Sequence, residues 1–339
     1  MKLITFYSIV FLNISLLLSG CFQSAGAETS DPQTGETHAV AGSIYASENN
    51  PLWIESLRAA THNGSDLKII KTLLRTKTVT NKLISYKVDG LTLYALLSIP
   101  RQKMPANGFP VIMLDHGHIT PSKYSTLNSY KAVVDYYAAH GFLVLKPDYR
   151  GHGNSQSGPE KYGLERMSYS LDVLGLLSLV PQIKEADMNN IFMVGHSMGG
   201  AIALTVLEVD PNIKAAVLWA AVSAPFPESS LYFIRKHDKV LAEERAAAYK
   251  RLFGEKNFAK FSPINYTKYI TAPLLVQHGT ADESVPYAWT IHMLKVFDKT
   301  NVTYTFHSYP NENHNLSRHS FYIALKEDLQ FFRKHMTNK

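Results

Sequence analysis

Residues 189–204 read NNIFMVGHSMGGAIAL. An apolar run suited to a buried strand, Asn190 to Val194, meets a helical pattern, and at the junction a serine stands between glycines. Gly195-His196-Ser197-Met198-Gly199 fits G-x-S-x-G, with Gly200 behind it. The bare pentamer is a weak signal, and its strand–turn–helix setting is what gives it meaning. A turn of that kind holds the serine hydroxyl exposed at a sheet edge and needs small neighbours where strand and helix nearly touch. It also offers a helix N-terminal N–H, here that of Met198, to a developing oxyanion. Ser197 is therefore the candidate nucleophile.

A serine hydroxyl is a poor nucleophile unless a base takes its proton, and the base needs an orienting acid. In this architecture the chain order is serine, then aspartate or glutamate, then histidine. PLLVQHGTADESVP (273–286) places Asp282 just after a strand, and FHSYPNENHNL (306–316) places His314 after the last one. Asp282 is preferred over Glu283, and over Glu312, which lies so close to His314 in sequence that it would have to fold back. The second oxyanion donor is expected from LDHGHIT (114–120), where His116-Gly117 suits close backbone approach and the N–H of His118 is the candidate. DYRGHGNS (148–155) ends another strand at the same edge. Arg150 there is read as organising loops rather than touching substrate.

Outward from these motifs, strands and helices alternate. A hairpin is expected in LISYKVDGLTLYALLSIP (83–100), turning at Asp89-Gly90. Strands follow at 110–115, 142–147, 190–194, 214–222, 273–277 and 302–309, with helix-length segments between them and a closing amphipathic helix near 317–335. Buried β runs separated by helices predict an α/β fold with a mainly parallel sheet covered on both faces. One block, 226–261, has no strand pattern, and DKVLAEERAAAYKRLFG (238–254) within it is helical. It is expected to form a small helical cap over the strand ends, where ligands bind in such sheets. Phe226, Leu231, Tyr232 and Phe233 at its start are expected to face an apolar acyl or aryl group.

The chain has 339 residues, 45% of them hydrophobic, enough for a large core, and a formal net charge of +6. Its basic residues are dispersed, and no nucleic-acid motif is present. There is no HExxH, and His116-x-His118 lacks companion ligands at recognisable spacing, so neither a metal nor a cofactor is expected. The N-terminus is of another kind. Lys2 precedes an apolar run, Leu3 to Leu18, that closes on LSGC (18–21), the pattern of a signal peptide over residues 1–20. LSGC resembles the lipobox of bacterial lipoproteins, which implies a lipid on Cys21, the only cysteine in the chain. Residues 21–50 are expected to be a flexible tether spanning about 30 Å, and 51–339 the folded domain, beginning with a short helix near Pro51. A lipid anchor implies the bacterial cell envelope. Phe22 after the cysteine, rather than an aspartate, points to the outer membrane if the cell is Gram-negative.

Together the elbow, the HGH loop, DYRGHGNS, HGTADESVP and the terminal histidine loop resemble an α/β-hydrolase, most of all the prolyl-oligopeptidase-like catalytic domains, over roughly residues 83–336. The resemblance implies hydrolysis of esters or amides through an acyl-enzyme, without cofactor. Two departures from the peptidases stand out. The stretch before the hairpin is too short for their β-propeller, and His196 occupies the elbow position where they usually carry tryptophan. The favoured expectation is a serine hydrolase of small esters. The alternatives are a peptidase acting on short peptides and, in another class, an inactive hydrolase-fold binding protein, against which the intact Ser197, Asp282 and His314 set argues.

Overall fold

The computed structural model describes residues 50–159 and 165–337. The expected signal peptide, Cys21 and nearly all of the tether lie outside the described residues. Asn50, assigned above to the tether's end, is an exception. It is fully buried, and its side chain accepts from the Leu52 N–H at 2.9 Å, so the packed chain includes it.

The nine described strands form one sheet in the order β1-β2-β3-β5-β4-β6-β7-β8-β9. Their ranges are β1 Ser65–Arg75, β2 Val79–Val88, β3 Leu91–Pro100, β4 Phe109–Asp115, β5 Leu143–Pro147, β6 Ala186–His196, β7 Ala215–Trp219, β8 Leu274–Gly279 and β9 Tyr304–Tyr309. The first three strands pair antiparallel, as do β3 and β5, and every pairing from β5 through β4 to β9 is parallel. The hairpin turns where expected, with Asp89 at φ 52° and Gly90 at φ 78°, the paired left-handed conformations of a tight two-residue turn. Strand β1 has no counterpart in the sequence reading. It is an edge strand, exposed along most of its length, so its side chains carry no inside–outside alternation.

The helices are α1 Ile54–Ala59, α2 Lys131–Ala139, α3 Glu165–Ser178, α4 Met198–Val209, α5 Glu228–Arg235, α6 Lys239–Phe253, α7 Tyr287–Thr300 and α8 Phe321–His335. Side chains of α3, α4 and α7 pack on one face of the sheet, and those of α2 and α8 on the other. Each face therefore buries its own apolar layer, which is why the central strands read as continuous apolar runs. After β4 the chain crosses to one side to form β5, then returns past β4 to form β6 on the other. That reversal opens a crevice beyond the carboxyl ends of β4 and β6, the place where such sheets bind ligands.

The block 226–261 follows β7 as a cap. It contains α5 as well as the expected α6, and closes on a 3-10 turn over Glu255–Phe261. The Asp238 side chain accepts from the Leu241 N–H at 2.9 Å, which caps the first turn of α6. Phe226, Leu231, Tyr249, Phe253 and Phe261 form a small apolar core of the cap's own, joined by Leu52 and Trp53 from the start of the domain. Below the sheet edge Arg150 is buried, and its Nη2 lies 2.7 Å from Asp172 of α3 and 3.3 Å from Asp89 of the hairpin turn. It ties loops together, as its place in the sequence suggested.

Candidate active site

Ser197 sits between the end of β6 and the start of α4 with φ 57° and ψ −119°, a region that costs a non-glycine residue roughly 1–3 kcal/mol. The surroundings over-determine it. Its N–H donates to Trp219 O at 2.9 Å, and its carbonyl accepts from the N–H groups of Gly200 at 2.9 Å and Val222 at 3.0 Å. Helix and strand cross so closely that a Cβ on Gly199 would lie 2.0 Å from Asp115 O, and one on Gly195 would lie 2.6 Å from Gly199 O. The glycines of the motif are a packing requirement.

Asp282 and His314 meet. His314 Nδ1 donates to Asp282 Oδ2 at 2.7 Å, which leaves Nε2 as the basic nitrogen of that ring. The same oxygen accepts from His278 Nε2 at 2.8 Å, and Oδ1 accepts from the N–H groups of Ser284 at 2.7 Å and Val285 at 2.9 Å. Burial alone would raise the Asp282 pKa, but the hydrogen bonds from His278 and His314 outweigh it and hold the carboxyl far below its ordinary range. Glu312 is otherwise engaged. Its carboxylate accepts from the N–H groups of Arg318, His319 and Ser320 at 3.1, 2.6 and 2.7 Å, pinning the segment that leads into α8.

The dyad is brought to the serine through its neighbour. His196 Nε2 donates to His314 O at 3.2 Å, and the two imidazoles lie 4.7 Å apart, centre to centre. Among the described residues no hydrogen bond joins Ser197 Oγ to His314, a looseness common in sites without substrate. On the other side stands Gly117. A Cβ there would lie 2.8 Å from Tyr130 Oη and 3.1 Å from Ser197 Cβ, so glycine lets this loop approach without displacing either side chain. Gly117 N–H is taken by Tyr130 Oη at 2.8 Å. Among the described residues neither the His118 nor the Met198 N–H meets an acceptor.

Ser197, Met198 and His118 open on one cavity of about 480 Å³. Its walls are mainly apolar, with Leu52, Ile54, Leu57, Ile202, Phe226 and Phe233 among them. Two of the four cap residues expected to face the substrate are elsewhere. Leu231 is buried in the cap's own core, and Tyr232 packs against Trp289 at 4.9 Å between centres. Adjacent residues on a short amphipathic helix point in different directions, and the sequence run alone did not distinguish them. The sequence reading also missed the contribution of α1, whose Ile54 and Leu57 reach the cavity. It missed Tyr130 as well, which sits in a run that reads as ordinary helix core.

A mainly parallel sheet wound on both sides, with a strained serine at its switch point and an Asp–His pair beside it, is the α/β-hydrolase fold, and the family match that follows makes the chain a serine hydrolase. Within that class the chain belongs to the prolyl oligopeptidase family, whose model matches residues 128–339. Dipeptidyl peptidase 8 of Mus musculus is 25% identical over 237 residues, covering 67% of this chain and 25% of the relative. The uncharacterized peptidase YtmA of Bacillus subtilis is 25% identical over 206 residues, covering 60% of this chain and 73% of the relative. The chain thus spans about a quarter of the dipeptidyl peptidases it matches. Among solved structures, acetyl xylan esterase 1 from Thermoanaerobacterium shares the fold with a TM-score of 0.61 at 18% identity, over 87% of this chain and 96% of that one. Acylaminoacyl peptidase from Pyrococcus horikoshii does so with a TM-score of 0.61 at 21% identity, over 78% and 42%.

Proposed function

We propose that this serine hydrolase cleaves a small ester through an acyl-enzyme, with Ser197 as nucleophile, His314 as base and Asp282 as orienting acid. His314 Nε2 takes the Ser197 proton as Oγ attacks the ester carbonyl. The tetrahedral oxyanion gathers hydrogen bonds from the N–H groups of Met198 and His118, which need no reorganisation because the backbone already holds them. The imidazolium, its charge balanced by Asp282, then protonates the leaving alkoxide. Water, deprotonated by the same nitrogen, releases the acid. The carrying observation is the Asp282–His314 bond at 2.7 Å, set beside a serine that opens on an apolar cavity.

The choice of ester over peptide rests on that cavity. Its aliphatic and aromatic walls suit an alkyl or aryl acyl group, each buried CH₂ contributing about 0.8 kcal/mol. Family membership and the curated relatives favour the second reading, a peptidase acting on short peptides. The deciding measurement is kcat/KM for p-nitrophenyl acetate and butyrate against prolyl and aminoacyl p-nitroanilides. Faster turnover of the esters is expected. Efficient amide cleavage with slow ester hydrolysis would establish the peptidase instead.

The location belongs to the same proposal. Lipid on Cys21 would hold the enzyme at the bacterial envelope, with an outer-membrane site the expectation for a Gram-negative cell. Metabolic labelling with a fatty-acid analogue should be lost in Cys21→Ser. Undiminished labelling in that variant would remove the anchor.

A further inference from the structure

The chemistry above leaves one chain of hydrogen bonds unused. Gly117 N–H donates to Tyr130 Oη at 2.8 Å, Tyr130 Oη is bonded to His196 Nδ1, and His196 Nε2 lies 3.2 Å from His314 O. The direction of every bond follows from chemistry. A carbonyl only accepts, so His196 carries its proton on Nε2 and its Nδ1 is a bare acceptor. The Tyr130 hydroxyl must then donate to Nδ1, and its lone pairs receive the Gly117 N–H. Burial and the nearby His314 push the His196 pKa down to about 3, and burial raises that of Tyr130, so neither group changes charge near neutral pH. The chain therefore joins three loops, those after β4, β6 and β9, through two side chains.

Tyr130 is placed at a local cost. It stands at the N-cap of α2 with φ 61° and ψ 19°, a left-handed conformation that is unfavourable for an aromatic residue, and its side chain does not cap the helix. A strained backbone at a poor capping residue is accounted for by what its side chain does. Its hydroxyl is aimed away from the helix, at the loop that lies against Ser197.

We propose that Tyr130 is a positioning residue, which through His196 fixes the oxyanion loop relative to the His314 loop while touching no reacting atom. By occupying the Gly117 N–H, it also leaves the next peptide, that of His118, as the one free to face the oxyanion. The inference rests on the Ser197 reading and deepens it. Uniform substrate binding does not depend on this chain, because the cavity walls lie elsewhere, and so its loss should fall on kcat.

The test uses the full chain with a p-nitrophenyl ester. Tyr130→Phe should lower kcat by roughly tenfold or more, less than the loss of a whole oxyanion donor, with KM within about twofold. His196→Gln, which keeps one donor and one acceptor, should retain more activity than His196→Phe. The Tyr130→Phe, His196→Phe double variant should lose little beyond the worse single variant, since both cut the same chain. An unchanged kcat in folded Tyr130→Phe, or a rise in KM alone, would overturn the proposal. If Tyr130→Phe does not fold, the two His196 variants decide, and equal kcat for both would overturn it. Ser197→Ala separates the two levels: activity surviving there defeats the functional reading itself, whereas an inactive Ser197→Ala beside a fully active Tyr130→Phe defeats only this inference.

Discussion

Around Ser197 the backbone carries the geometry, whereas in the cap above it side chains do. At the elbow, main-chain bonds from Trp219, Gly200 and Val222 hold one strained residue, and Gly195 and Gly199 leave no room for a Cβ. The cap coheres through a handful of aromatic rings, and its Gly254 has only Asn257 Nδ2 within 4 Å of where a Cβ would stand, at 3.8 Å. The difference separates two tasks. Positioning a nucleophile and an oxyanion hole needs tolerances that only packed main chain provides. Shaping a cavity for a substrate needs bulk in the right place, which alternative side chains can supply.

The largest effect expected is at Ser197, the proposed nucleophile. Ser197→Ala should lower turnover by at least about three orders of magnitude and abolish labelling by a fluorophosphonate, with the fold intact. The glycines then test the two regions against each other. Gly199→Ala should destabilise the protein by about 3 kcal/mol or more in urea unfolding, because its methyl group would collide with the Asp115 carbonyl. Gly254→Ala meets no atom closer than 3.8 Å, so its cost is only that of a strained backbone at φ 69° and ψ 129°, about 1–3 kcal/mol and less than that of Gly199→Ala. Equal costs would mean that the elbow is no more tightly determined than the cap. Phe233→Ala removes a cavity wall without touching the edge. It should raise KM for aryl or butyryl esters by about tenfold and leave kcat for acetate unchanged.

The smallest effect concerns support beneath the edge. Asp328 is fully buried, and burial pushes its pKa up to about 8 despite hydrogen bonds from Tyr137, Trp219 and Gln277. In the unfolded chain the same carboxyl ionises near pH ~4. Between those values the folded state binds more protons, so this contribution is complete below the lower value and is lost as pH rises through the upper one. The melting temperature of the wild type should therefore fall from pH 5 to pH 8 more steeply than that of Asp328→Asn. Parallel curves would show that Asp328 is ionised in the fold.

Local pattern was enough for the central strands and for the three candidate residues at their edge. Apolar runs marked the central strands because both faces of the sheet are covered, and Asp89-Gly90 marked the hairpin because few other pairs adopt its turn. Ser197, Asp282 and His314 were legible because each follows a strand, and parallel strands deliver such loops to one edge in a fixed order. Contacts between segments distant in sequence were not legible. Strand β1 lacked a pattern because its side chains are exposed along most of its length, and the helix near Pro51 could be foreseen but not its place in the cavity wall. Leu231 and Phe233 are equally apolar in the sequence, yet the packing of α5 buries one in the cap and turns the other toward Ser197's cavity. The choice of Asp282 over Glu312 became a matter of distance once Glu312 was found on the backbone N–H groups before α8. Tyr130 shows the limit most clearly, since an aromatic residue beginning a helix reads as core. Its role exists only because folding brings Gly117, His196 and the His314 carbonyl within reach, and a hydrogen bond is decided by tenths of an ångström that no spacing in the sequence encodes.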